Sequence, residues 1–472
     1  MASVRSQLTT TEKLNFRQIP AWVTEVAKQL LGKGFQAYLV GGAVRDLLWG
    51  TTPNDWDLAS DALPEQITRI FGKTIATGEK FGTIAVIWED HITEITTLRE
   101  ELAYDDGRHP REIHFTKDIV TDLRRRDFTV NALAWDFSSQ ELIDPFDGRK
   151  DIRKRLLKAV GDPTLRFRED GLRMFRFYRF LAVLKLQPHR LTEQAVNPSF
   201  AARVSFERIR DEFSKLLVGQ GVARGLEGLH QSGLLNVFIP ELLNPPTGSD
   251  GCWVSVSGRE QPFLWSHLVA TTVAVHPLLH LRLAALLHDI AKPLTKSIEQ
   301  NGIHFYGHEK RGAELGATIL ERLHYPQKII HSVVLLIQNH MFYIDGHTSD
   351  GAIRRLAAKV GPELIFDLLE LRRADIIATD SRIGGIDYRT WEFWNELRER
   401  FTQVLSDENG YNPFRLALNG KDLMEEFHMT PGPQVGKTLD YLKECVLDEP
   451  ARNQRLVLLE LARNFLLSQN NN

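Results

Sequence analysis

Residues 39–60 read LVGGAVRDLLWGTTPNDWDLAS, and the pattern is strand, glycine turn, short helix, loop, strand. The apolar run Tyr38-Leu39-Val40 leads into Gly41-Gly42, where backbone can approach a phosphate without a side chain in the way. Ala43 to Leu48 then opens a helix whose free N–H groups and dipole favour an anion. Asp55 and Asp57 flank Trp56, and on an extended strand that spacing projects both carboxylates from one face. Paired carboxylates beside a phosphate-holding turn suit Mg²⁺ and a nucleoside triphosphate. With Arg45 and Asp46 between the two features, the stretch points to nucleotidyl-transfer chemistry.

The surrounding chain is ordinary for a globular protein: 472 residues, 43% hydrophobic and 25% charged. That length accommodates two to four domains. A net charge of −3 excludes a globally basic protein, so a nucleic-acid surface has to be a local patch. Two cysteines, Cys252 and Cys445, lack metal-ligand spacing and fit a reducing cytoplasm. The polar N-terminus carries no signal-like apolar segment, and no apolar run is long enough for a membrane span. A cytoplasmic location without a membrane partner is expected.

Working outward, Pro20 to Leu31 has helical periodicity beside the first strand. Ile84–Trp88 and His91–Thr97 are β-branched runs around Glu89-Asp90, a hairpin pattern. Glu101 to Pro110 is polar and reads as a mobile loop. Val130–Trp135 and Leu142-Ile143 complete a first domain. Beyond Arg149 strand signals nearly vanish and helical patterns dominate, among them Leu165–Leu186, Phe206–Leu217 and Val222–His230. Pro245 to Asp250 reads as a linker, and the Asn-rich last residues as a frayed end. The fold class is an α/β head, a small mixed sheet with helices, followed by an extended all-α neck, body and tail.

A third carboxylate would complete a metal site, and Glu94 is the candidate, on a strand that could run beside the one carrying Asp57. The alternative is an exposed glutamate on a half-buried strand. Arg124-Arg125-Arg126 leads into Asp127-Phe128-Thr129-Val130-Asn131, read as an apolar strand with polar residues embedded. An arginine there would neutralise triphosphate charge, with Asp127 and Asn131 orienting it or touching the sugar.

GGAVRD, DWD, RRDFTVNA and LRFREDGLRMFRFYRF, in that order between Tyr38 and Phe180, resemble the class II tRNA nucleotidyltransferase and poly(A) polymerase family. The resemblance implies a nucleotidyltransferase head (1–148), a helical neck with a nucleotide-selecting helix (149–245), an HD-type helical body (251–400) and a tRNA-binding tail (401–472). It implies two-metal phosphoryl chemistry with Mg²⁺ and, as partners, tRNA, CTP and ATP. Gly42 and Arg45 match triphosphate-contacting positions, Asp55 and Asp57 metal ligands, Glu94 the third carboxylate and Arg126 a nucleotide-binding arginine. The 101–110 segment resembles a flexible loop that helps switch from CTP to ATP.

In the neck, Asp170 and Arg173 stand three apart and share a helix face. One acceptor beside one donor can read a base edge: C and A offer an amine where G and U present a carbonyl. In the family this pair selects the base without a nucleic-acid template. Arg176 and Arg179 also match nucleotide-binding positions. Yet each three-residue step turns a helix back by about 60°, which would put Arg179 nearly opposite Asp170. The alternative for all four is a salt-bridged surface helix.

Histidines gather after the linker. His267, His288-Asp289, His308 and His340 fall in an order that resembles the HD phosphohydrolase superfamily, with Asp375 as its distal aspartate. Histidine-rich ligation suits a divalent transition metal better than Mg²⁺, and such a site would hydrolyse phosphoesters. Arg149, Lys150, Arg153, Lys154 and Arg155 could face RNA or be a solvated helix.

The favoured expectation is therefore a template-independent enzyme that adds or repairs the 3′-terminal CCA of tRNA. A-adding, CC-adding and poly(A)-polymerising activities share the head motifs. A different class, an HD phosphohydrolase with a nucleotide-binding head, stays open, as does a non-catalytic RNA-binding protein.

Overall fold

The structure, a computed structural model, describes residues 5–6, 9–78, 82–104, 110–242, 253–256, 259–300, 302–342, 348–380, 388–406 and 414–470. They form two compact units, 1–243 and 244–472. No helix among the described residues is long and apolar enough to cross a membrane.

The first unit is built on an eight-stranded mixed sheet. In chain order its strands are β1 (Arg5–Ser6), β2 (Tyr38–Val40), β3 (Leu58–Ser60), β4 (Thr74–Gly78), β5 (Thr83–Trp88), β6 (His91–Thr97), β7 (Ala134–Asp136) and β8 (Glu141–Ile143). Across the sheet they run β1-β8-β7-β2-β3-β6-β5-β4. All neighbours are antiparallel except β3 and β6, which pair in parallel with Leu58 opposite Ile95. β2 and β3 are buried throughout, and the polar Ser60 in β3 is satisfied by donating to the Gln36 carbonyl at 2.6 Å. The β5–β6 hairpin turns at Glu89, whose φ is 53°. Helix Ala21–Gly32 buries Val23, Val26, Ala27 and Leu30. Tyr38, Val40, Ala59, Leu123, Ala134 and Ile143 belong to one buried cluster.

Three local expectations change. The stretch after the arginine triplet is not a strand: Thr129–Asn131 is a single 3₁₀ turn, and the chain becomes extended only at Ala134. Both ends of the 101–110 segment are paired backbone, because Arg99–Tyr104 and Pro110–Phe115 form an antiparallel ladder; residues 105–109 lie outside the described residues. Leu165–Leu186 is two helices, Pro163–Glu169 and Leu172–Leu184, broken at Asp170 in extended conformation. Close backbone packing accompanies the break. A Cβ on Gly171 would stand 2.2 Å from the Phe200 carbonyl oxygen, so backbone meets backbone where only glycine fits.

The second unit is mostly helical; against the all-α expectation it carries two short antiparallel hairpins, Trp253–Val256 with Arg259–Pro262 and Ser297–Glu299 with Gly302–His304. Phe263–Ala274, Leu279–Leu287, His308–Arg322, Gln327–Asn339 and Ile365–Asp380 make its first part. Gly420–Phe427, Pro433–Asp448 and Arg455–Asn470 bury Leu423, Leu442 and Leu458 together. Asn419 caps the first of these three, accepting from the Lys421 and Asp422 amides. The helical end reaches Asn470; the Pro245–Asp250 linker and Cys252 lie outside the described residues.

Candidate active site and metal cluster

β2 ends at Gly41, whose φ of 70° and ψ of −130° suit glycine alone. The missing side chain also makes room, since a Cβ there would lie 3.0 Å from an Arg126 guanidinium nitrogen. Helix Gly42–Trp49 follows. Asp55 and Asp57 precede β3 rather than lying in it, but the backbone is already held: the Val40 amide donates to the Asp57 carbonyl, and Thr93 Oγ1 to the Trp56 carbonyl. Parallel pairing of β3 with β6 then brings Glu94, which precedes Ile95, beside Asp57.

These groups line one cleft of about 620 Å³. Asp55, Asp57 and Glu94 stand in it with Arg45, Arg126, Asp170, Arg173, Arg176 and Arg179. The head and neck candidates for metal, triphosphate and base contact are thus brought together, Gly42 included. Asp57 is open to cleft water yet walled by protein. Burial first, then Glu94 and Asp55, push its pKa up to about 6, against the pull of Arg126. Three crowded carboxylates of this kind fit a divalent cation, which would relieve their repulsion.

The arginines are held by acids behind them. Asp122 is 1% exposed and pairs with Arg125 at 2.8 Å and Arg126 at 3.4 Å. Burial would raise its pKa, but Arg125 and Arg126 outweigh burial and lower it. Asp127 accepts from Arg176 Nε at 2.8 Å and from Asn131 Nδ2 at 3.2 Å, while Asn131 Oδ1 accepts from Arg45 at 2.7 Å. Despite burial, Arg176 first and then Asn131 hold Asp127 at about 2. Asp127 therefore orients Arg176, and Asn131 ties it to Arg45. Arg179 pairs with Glu212 at 2.6 Å.

Asp170 and Arg173 meet differently from the i, i+3 arrangement. Asp170 sits in the break, accepting from the Leu172 amide at 3.0 Å, and Arg173 lies in the first turn of the next helix. Arg173 donates to Glu169 at 2.6 Å and to the Arg166 and Arg125 carbonyls at 3.0 and 2.9 Å. The same break removes the wheel argument against Arg179, which lines the same cleft as Asp170. Sequence reading missed Arg208, whose guanidinium takes both Asp170 oxygens at 2.8 and 3.3 Å. Nothing in its local sequence announces it, because its helix reaches the neck only through tertiary packing. Of the basic run after the head, Arg149 and Arg153 bind Glu12 instead of forming a free patch.

In the second unit the six expected residues converge. His267 Nε2 lies 3.1 Å from His288 Nε2 and 3.2 Å from both Asp289 and Asp375. His308 Nε2 lies 3.3 Å from His340 Nε2 and from Asp289 Oδ1. Asp289 thus serves two groups, with His267, His288 and Asp375 on one side and His308 and His340 on the other. His288, His308 and His340 each donate Nδ1–H to the carbonyl three residues back, at 2.8, 2.7 and 2.7 Å. That fixes each ring with Nε2 inward, as in ligating histidines. Burial lowers the pKa of His288, but Asp289 and Asp375 overcome it and push it up to about 10. Burial, then His288, bring His340 down to about 3. The clustered nitrogen and oxygen donors fit a metal ion. Sequence reading missed Lys292, 2.5 Å from Asp289 Oδ2.

A family model described as the Poly A polymerase head domain matches residues 37–158, and one described as the HD domain matches residues 269–380. The CCA-adding enzyme of Geobacillus stearothermophilus is 32% identical over 438 residues, 91% of this chain and 93% of that one. That of Bacillus subtilis (strain 168) is 39% identical over 263 residues, 55% of this chain and 64% of that one. Among solved structures, the Bacillus stearothermophilus CCA-adding enzyme in complex with CTP matches 97% of this chain and 99% of its own, with a TM-score of 0.71 at 28% identity. A Thermotoga maritima CCA-adding enzyme complexed with tRNA shares the fold, with a TM-score of 0.55 at 18% identity over 98% of this chain and 100% of that one. Identity sustained over nearly the whole chain, together with a cleft lined by residues of each head and neck motif, leaves one conclusion: the chain belongs to the CCA-adding enzyme family.

Proposed function

We propose that this chain adds or repairs the 3′-terminal CCA of tRNA, taking CTP and ATP as substrates and working in the cytoplasm. The observation that carries this is the cleft in which Asp55, Asp57 and Glu94 face Asp170, Arg173 and the flanking arginines. Relatives named CCA-adding enzyme and the solved CTP complex support it. They favour it over A-only, CC-only and poly(A) activities.

In this reading the RNA 3′-hydroxyl attacks the α-phosphorus of the bound nucleotide and pyrophosphate leaves. Asp55, Asp57 and Glu94 would hold Mg²⁺, which when bound supplies activation of the hydroxyl and neutralisation of the leaving charge. The turn at Gly41-Gly42 and Arg45, Arg126, Arg176 and Arg179 receive the triphosphate, with guanidinium N–H groups on its oxygens. Asp170 accepts from the exocyclic amine of C or A, and Arg173 donates to the same base edge. The two acidic pairings behind Arg126 and Arg176 keep the forks aimed. The division into head, neck, body and tail given above belongs to this reading, with the tail gripping tRNA.

The test presents tRNAs ending before CCA, at C and at CC with each nucleoside triphosphate alone and in mixtures. Ordered addition of C, C and A is expected. Absence of incorporation on all three substrates defeats the reading.

A second reading concerns the other unit. The inward Nε2 atoms of His288, His308 and His340 favour a metal-dependent phosphohydrolase with a divalent transition metal held by His267, His288, Asp289, His308, His340 and Asp375. When bound, the metal supplies an activated water. Metal analysis of the purified protein and phosphoester hydrolysis by wild type and His288→Ala test it. Undiminished hydrolysis in the variant rules it out.

A further inference from the structure

Phe180 lines the cleft and is 5% exposed. Three guanidinium carbons gather on its ring: Arg179 at 4.0 Å from the centroid, Arg176 at 5.7 Å and Arg45 at 5.8 Å. Arg176 and Arg179 come from the neck helix Leu172–Leu184, and Arg45 from the helix that follows the glycine turn. The ring itself is braced, with Phe128 standing edge-on to it at 5.7 Å and 87°. A hydrophobic side chain at a neck–head junction needs no such company.

Three like charges around one side chain repel one another before any phosphate arrives. Burial, then Arg176 and Arg45, press the pKa of Arg179 down, with Glu212 and Asp127 opposing. Carboxylates could hold the arginines, and Asp127 and Asp46 hold one each while Glu212 reaches Arg179 at 2.6 Å and Arg176 at 4.0 Å. Every carboxylate bond, however, occupies an N–H that a phosphate oxygen would need. An aromatic face attracts the flat cation through its quadrupole and leaves the N–H edges unspent.

We propose that Phe180 is a positioning residue whose ring face holds Arg45, Arg176 and Arg179 together, with their outer N–H groups directed at the nucleotide's triphosphate. The inference rests on the nucleotidyl-transfer reading of this cleft. Its effect belongs to nucleotide binding, because the ring touches no reacting atom.

The test replaces Phe180 in the full chain by mono-, tri- and pentafluorophenylalanine. This series drains the quadrupole of the ring while nearly keeping its size. KM and kcat for CTP and ATP are measured on tRNA lacking its terminal residues, and Tm is measured alongside. KM should climb stepwise to about tenfold at the pentafluoro ring, with kcat within about twofold. Phe180→Leu should match the pentafluoro protein, and Phe180→Tyr should stay near wild type. Tm should remain level through the series. A flat KM, or a KM that rises only as Tm falls, overturns the proposal. Asp55→Ala separates the two layers: continued addition by that variant sinks the cleft reading itself. If it is inactive and the fluorinated series is flat, only the role of Phe180 falls.

Discussion

Arg208 grips Asp170 through two N–H groups, at 2.8 Å to Oδ2 and 3.3 Å to Oδ1. The carboxylate also accepts from the Leu172 amide, so its plane is set before a base arrives. Removing the fork should loosen that plane and blur discrimination between an amine and a carbonyl on the base. Arg208→Gln is expected to raise KM for CTP and ATP about tenfold, the worth of a bidentate charged pair. Its preference for C and A over U and G should narrow as well. Arg208→Lys, a point charge without the fork, should fall between. Single-nucleotide incorporation with all four triphosphates checks this, and unchanged selectivity in Arg208→Gln would count against it.

Gly171 follows the break in the neck, and packing requires it to be glycine. A Cβ at this position would meet the Phe200 carbonyl oxygen at 2.2 Å and its carbon at 2.8 Å, both backbone atoms with little freedom to yield. Gly171→Ala should therefore lower stability by about 1–3 kcal/mol, as overpacking does. Asp170, one residue away, should shift with it. The expected result is a lower Tm together with reduced kcat/KM for both nucleotides. A variant with wild-type Tm and kinetics would show that the segment around Phe200 moves aside freely.

The Asp57 carboxyl, at about 6 against an ordinary 3.8, gives a pH dependence of definite sign. Below about pH 6 the folded protein holds a proton where a cation would bind. Magnesium affinity should fall by about tenfold per pH unit there and level off above it. Without metal, the fold should lose stability as pH rises from about 4 to about 6, because the unfolded chain gives up this proton first. Calorimetric titration of Mg²⁺ between pH 5 and 8 reads the first effect and thermal unfolding the second. Asp57→Asn should flatten both.

The glycine turn and the carboxylate pair were legible because both are local: the geometry of Gly41 and the spacing of Asp55 and Asp57 are written in contiguous residues. Glu94 was only half legible: the strand pattern allowed an exposed glutamate equally well, and it is the parallel pairing of β6 with β3 that sets it beside Asp57. The break at Asp170 was not. Periodicity runs straight through Gly171, and the backbone that crowds it, the Phe200 carbonyl, lies 29 residues on. Treating the segment as one helix also turned Arg179 away from the cleft it lines. Arg208 and the convergence of arginines on Phe180 are products of helix packing, which charge pattern cannot forecast. The histidines are legible in their motif order, but the shared position of Asp289 between two groups is set by helix packing.

That shared position makes the metal cluster testable residue by residue. Asp289 turns Oδ2 to His267 and His288, each at 3.2 Å, and Oδ1 to His308 at 3.3 Å and His340 at 3.7 Å. His340 belongs to one of the two groups, whereas Asp289 belongs to both. Asp289→Asn should consequently remove more bound metal than His340→Ala. Ligand loss at each position should weaken affinity by about 10-fold or more. Elemental analysis after dialysis gives the metal content, and CCA addition measured on the same samples should stay within about twofold of wild type. Equal metal loss in the two variants would mean that Asp289 and His340 serve one ion in the same way. A parallel loss of CCA addition would mean that the cluster is needed for the fold on which addition depends.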